Sequence, residues 1–169
     1  MSATRSRSRS AARLAAVQAL YQMDVAGKGV IDALAEFEAH WIGQEVEGVA
    51  FKPAESAFFR AVLSGVVAEQ RAIDGKVDKV LSEGWPLKRV EAVLRAILRA
   101  GAYELMFRKD VPARVAITEY VDVAHGFYNE DEPGLVNAVL DAIAREAREG
   151  ELEAKRTAKP APRRAGKVR

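Results

Sequence analysis

Residues 86–107 read PLKRVEAVLRAILRAGAYELMF, and the spacing of their apolar positions decides the fold. Val90, Val93, Leu94, Ile97, Leu98 and Leu105 recur at three and four residues, the repeat of one buried face of an α-helix. Proline suits a first helical turn, so Pro86 predicts one long helix starting there. Gly101 inside it costs up to about 1 kcal/mol against alanine unless a neighbouring helix needs the space.

The same period runs outward in both directions. Upstream, Leu14, Val17, Leu20 and Tyr21 mark a helix with Ser10 as its expected N-cap and Gly27 and Gly29 as its end. Leu34, Phe37 and Trp41 form a shorter stripe, and residues 43–52 read as a loop. Pro53 opens a third helix carrying Phe58, Phe59, Val62, Leu63, Val66 and Val67. Ile73, Val77, Val80 and Leu81 make a fourth, closed by Gly84. Beyond Pro112, Val115, Ile117, Tyr120, Val121, Ala124 and Phe127 predict a sixth. Pro133 introduces a seventh, with Leu135, Val136, Val139, Leu140 and Ile143, which frays near Gly150.

No strand pattern and no internal repeat emerges. The expectation is an all-α fold, a compact bundle of about seven helices with short connectors and antiparallel neighbours. Residues 1–9 are expected as a flexible arginine-rich arm, 10–150 as the folded domain and 151–169 as a disordered basic tail.

Charge is segregated along the 169 residues. Residues 1–13 hold Arg5, Arg7, Arg9 and Arg13 and no acid, and residues 155–169 carry +7, so an overall +2 leaves 14–154 at −9. Basic arms on an acidic body point to a polyanion partner, or to solvated ends. The absence of cysteine excludes a disulfide framework and a thiolate nucleophile, and fits a reducing, cytoplasmic setting. No apolar run approaches a membrane span. The Ser/Arg-rich start resembles a targeting segment, but no suitable cleavage site follows it.

Catalytic constellations are missing from the chain. His40 and His125 stand far apart, each beside an aromatic stripe, and no H-E-x-x-H, P-loop, G-x-G-x-x-G or G-x-S-x-G pattern occurs. Glu130, Asp131 and Glu132 precede a helix start, where negative charge favours the helix dipole without any chemistry. A non-enzymatic protein with no cofactor is expected.

Three stretches then stand in register. They are Ala16-Val17-Gln18-Ala19-Leu20-Tyr21 after the arginines, Arg95 to Leu105 running on into Asp110-Val111-Pro112 and Val115 to Glu119, and Leu135 to Asp141. In order and spacing this pattern, from about Arg9 to Arg145, resembles the NusB family. The resemblance implies two small helical subdomains. It also implies binding of single-stranded boxA RNA from ribosomal RNA leader transcripts, together with the ribosomal protein NusE, in an antitermination complex on RNA polymerase.

On this resemblance the RNA-binding residues are Arg5, Arg7, Arg9, Arg13, Gln18, Tyr21, Lys109, Asp131 and Leu135. Arginine binds phosphate with a planar fork and stacks on bases, and Tyr21 offers a ring to an unpaired base. Arg13 is expected to project from the first helical turn, whereas Tyr21 also sits at core spacing. Arg95 and Arg99, four apart on one face, are the partner-binding candidates, with pairing to nearby acids as the alternative. Tyr103 and Glu104 are expected to fix helix packing, and Asn137 to cap or bridge helices. Leu135 departs from a family position often aromatic, and can pack but not stack; Leu94 departs from one often acidic. The alternatives are a stand-alone NusB-like module related to ribosomal RNA methyltransferases, or a helical protein-interaction scaffold.

Overall fold

Helix α1, Ser2–Ala26, is the longest element among the described residues. It begins upstream of Ser10, which is a mid-helix residue and no N-cap; the Ser10 hydroxyl donates to Glu119 Oε2 at 2.7 Å. The segment expected as an arm is helical in its backbone from Ser2 onward. α1 stops where Gly27 takes a φ of 67°, a left-handed conformation that costs glycine no Cβ clash. The structure, a computed structural model, describes residues 2–41, 45–46, 49–50, 53–81 and 86–152, and side chains over 8–39, 55–81 and 86–152.

Along the described residues follow α2 (Val30–Trp41), α3 (Pro53–Ala68), α4 (Gln70–Val80), α5 (Ala92–Phe107), α6 (Ala113–Phe127) and α7 (Glu132–Ala147). All seven helices of the apolar repeat are present, and the fold is all-α. Within the stretch read as a loop, β1 (Glu45–Val46) pairs antiparallel with β2 (Val49–Ala50). The start of α5 also differs from expectation. Pro86 precedes a single 3-10 turn, Leu87–Arg89, and the α-helix begins at Ala92. Glu91 is its N-cap, accepting from the Val93 and Leu94 amides at 3.1 and 3.4 Å, donors that would otherwise lack a helical partner.

The helices fall into two small subdomains. α1, α2 and α3 pack on one another, as do α4, α5, α6 and α7, and α1 and α3 lie along α5 to close one continuous core. Gly101 marks a close approach. A Cβ there would come 2.7 Å from Leu140 Cδ1 and 3.3 Å from Tyr120 Cδ2, so packing does need the missing side chain. Gly65 on α3 is tighter, since a Cβ there would overlap the Tyr103 ring.

The end of α5 is sealed from α7. Buried Arg148 donates to the carbonyls of Leu105, Glu104 and Arg108 at 2.9, 2.9 and 2.8 Å, and to that of Val111. These include carbonyls that the helix end itself leaves without partners. The expected fraying near Gly150 is absent: Arg148 and Leu152 on either side of it are both buried.

Candidate nucleic-acid interface

α1 carries most of the predicted binding residues, and its packing sorts them. Arg5 and Arg7 belong to its first turns, but their side chains lie outside the described ones. Half-buried Arg9 places its guanidinium 4.7 Å from the Phe58 ring centroid, and Arg108 stands 5.2 Å from the same ring. Both distances suit a cation over an aromatic face.

Arg13 does not project outward. Its side chain is 2% exposed, and Nε and Nη2 donate to Glu104 Oε2 and Oε1 at 2.9 and 3.0 Å. The buried Tyr120 hydroxyl donates to the same carboxylate. Burial works against the Arg13 charge, but the hydrogen bond and charge of Glu104 more than offset it and hold the pKa above the ordinary value. Burial, and then Glu104, push the Tyr120 phenol well above 10.0. The expectation that Arg13 meets RNA is therefore corrected. Its fork is fully engaged by a carboxylate 91 positions away.

Farther along α1 the surface opens. Gln18 and Tyr21, both half-buried, edge a groove of about 750 Å³ lined also by Val17, Gln22, Phe37, Val93 and Phe127. A second hollow of about 380 Å³ shares Gln18 and Phe127 and brings in Ser10, Leu14, Glu119 and Asp122. One side of this trough is thus acidic, suited to base amino groups or protein cations and unsuited to phosphate. Beside the groove, the Tyr128 hydroxyl donates to Glu91, tying the end of α6 to the start of α5. Partial burial tends to raise the Glu91 pKa, but the Tyr128 bond and the Val93 and Leu94 amides bring it below the ordinary carboxylate value.

The remaining candidates are scattered. Lys109 is exposed just past the end of α5, about 24 Å along that helix from the groove-lining Val93. Asp131 is exposed at the start of α7 without a side-chain capping bond, and Leu135 is half-buried against the core. Asn137 is exposed on α7 beside Arg114 and Thr118 of α6, in a hollow where the two helices meet.

Arg95 and Arg99 are committed internally, which corrects their reading as partner contacts. Arg95 Nε donates to Asp24 at 2.8 Å, and its Nη1 to the Val90 and Lys88 carbonyls at 2.8 and 3.1 Å. Arg99 makes a two-pronged bond to Asp74 at 2.8 and 2.9 Å. Together they fasten α1 and α4 to α5. Tyr103 and Glu104 serve packing, as expected. His125 is exposed, and the His40 side chain lies outside the described residues. Among the described residues no group of His, Asp and Glu could hold a metal ion, and no helix is long and apolar enough to cross a membrane.

This helical frame has known counterparts. The profile of the NusB family matches residues 10–145. The chain belongs to the NusB family. It is 64% identical over 144 residues to the transcription antitermination protein NusB of Bradyrhizobium diazoefficiens, covering 85% of this chain and 87% of that one. To the protein of the same name from Rhodopseudomonas palustris it is 63% identical over 144 residues, with 85% of each chain covered. Among solved structures, T. maritima NusB superposes with a TM-score of 0.72 at 30% identity, covering 86% of this chain and 96% of that one. A chain from the crystal structure of NusB and NusE in complex with double-stranded RNA gives 0.68 at 26% identity, over 83% and 98%.

Within this NusB frame, three surface features escaped the apolar pattern. Phe127, 43% exposed, lines both hollows, yet its spacing from Tyr120 places it on the buried stripe. It is the last residue of α6, where the helix outruns its packing. Val93, on the apolar stripe of the sequence, lines the groove from the first turn of α5. Arg108 joins Arg9 over Phe58, a pairing of distant residues that no spacing announces.

Proposed function

We propose that this chain is a transcription antitermination factor that binds boxA RNA of ribosomal RNA leader transcripts as a single strand, jointly with NusE, within the RNA polymerase antitermination complex. The observation that carries the reading is the division of α1. One end bears Arg5, Arg7 and Arg9 for phosphate, and the other bears Gln18 and Tyr21 on an open groove where an unstacked base can lie. Names of its relatives support antitermination, and a solved neighbour was captured with NusE and RNA. The acidic wall of Glu119 and Asp122 favours a protein cation beside the RNA over a second phosphate track.

Fluorescence anisotropy with boxA RNA, with and without NusE, tests the reading against scrambled and duplex RNA. Expected is salt-dependent binding that prefers single-stranded boxA and tightens with NusE. Three phosphate contacts, one each from Arg5, Arg7 and Arg9, would make log K fall against log salt with a slope near −2, using about −0.7 per contact. Equal binding of all RNAs, unchanged by NusE, would leave the scaffold reading in its place.

A further inference from the structure

The face that α1 turns to the core is built mainly of alanine. Ala11, Ala12, Ala15, Ala16 and Ala19 are all at or below 9% exposure. Such a face lets helices approach closely, but its shallow ridges say little about which way the helix must be turned. Beside the buried Val17 and Leu20, one long charged side chain interrupts it. Arg13 enters the core between α1, α5 and α6 and is gripped through both prongs by Glu104, itself 0% exposed and also bonded by Tyr120. A buried ion pair is a weak source of net stability, because desolvation consumes most of the attraction. Its geometric demand is strict, however: a bidentate fork accepts one approach direction.

From this we infer that Arg13 and Glu104, with Tyr120, act as a register pin that fixes the rotation of α1 about its axis and so aims its RNA-facing residues. The role rests on the RNA-binding reading proposed above. Arg9 lies one turn before the pin, and Gln18 and Tyr21 follow it on the same rigid helix. A turn of α1 by one residue position would swing these side chains by about 100° and carry Tyr21 off the groove. Arg13 is thus a positioning residue whose side chain never touches RNA.

Arg13→Ala is a poor test, since it strands a buried carboxylate and risks unfolding. The informative variant replaces the whole set by apolar residues of similar size, Arg13→Met, Glu104→Leu and Tyr120→Phe together in the full chain. The chain has no cysteine, so Val25→Cys on α1 and Lys79→Cys on α4, both exposed, take two spin labels uniquely. With the pin intact, their distance distribution is expected to be narrow. In the triple variant it broadens or shifts by roughly 5 Å or more, set by the helix radius. Helical content and melting temperature hold or rise. The preference for boxA over scrambled RNA falls about tenfold, the loss of one well-aimed stacking contact.

An unchanged distance distribution would overturn the pin. A changed distribution with the boxA preference intact would overturn its positioning role. If the triple variant fails to fold, Arg13→Lys decides the matter, since it keeps the charge and loses the fork: broadening supports the pin and a narrow distribution overturns it. If the unaltered protein shows no boxA preference, the antitermination reading falls and takes the positioning role with it. The distance measurement still judges the pin itself.

Discussion

Over residues 8–13, α1 lies against α3 and α5, with Ser8 and Arg13 buried and two of its guanidiniums over Phe58. Over residues 18–22 the same helix borders an open groove, and Gln18 and Tyr21 stay half-exposed. Along the sequence both stretches mix polar with apolar residues. They differ in what faces them. Opposite Arg13 stands a buried carboxylate, and opposite Tyr21 stand the exposed Phe127 and the first turn of α5. A side chain's type sets what it can bind, and the element across from it decides whether it remains available.

The sharpest way to break this contrast is at the packed end. Arg13→Ala leaves Glu104 buried without its counter-ion, and should cost about 3–5 kcal/mol in chemical denaturation. A loss below about 1 kcal/mol would mean that the packed end is far more yielding than its geometry implies. At the open end the costs should reverse. Tyr21→Ala is expected to weaken boxA binding by about 1–3 kcal/mol in anisotropy titrations. It should disturb the melting temperature much less than Arg13→Ala does. Arg9→Ala, between the two regimes, should make the salt slope shallower by about 0.7 if Arg9 meets a phosphate. An unchanged slope would assign Arg9 to packing within the fold, as over Phe58.

The smallest expected effect concerns the groove's edge. Glu91 has a depressed pKa in the folded state, so its contribution is present above the unfolded value, near 4.5, and is lost as pH falls through the folded one. Glu91→Gln should therefore flatten the stability profile below pH 4.5 and leave neutral RNA binding nearly intact. An identical acid profile would mean that the ionised Glu91 side chain adds nothing to stability.

Helix number and order were legible in the sequence because three- and four-residue spacing is a local signal. Even Gly101 could be read correctly, as a residue excused by close packing. Helix starts were less legible. Proline at position 86 favours a first turn but does not say which kind, and the chain takes a 3-10 turn before α5. Gln18 and Tyr21 stand half-exposed on a groove, where their binding reading stays a proposal, whereas Arg13, Arg95 and Arg99 were misleading. Each of those arginines meets acids distant in sequence, Glu104 for the first, Asp24 and Asp74 for the others. Periodicity carries no information about such encounters. Phe127 misled in the opposite sense, since a residue at core spacing is exposed where its helix ends.

The seal that Arg148 forms over the end of α5 bears on how this protein can be trimmed. Glu151, just beyond it, accepts from the Ala113 amide at 2.8 Å, and Leu152 lies 6% exposed. A cut after Ala147 would look harmless, since it falls at the end of the last long helix. It would remove the stopper from one helix and the first-turn acceptor from another. Shortened versions meant for crystallisation or for fusion to a second protein should keep every residue through Leu152.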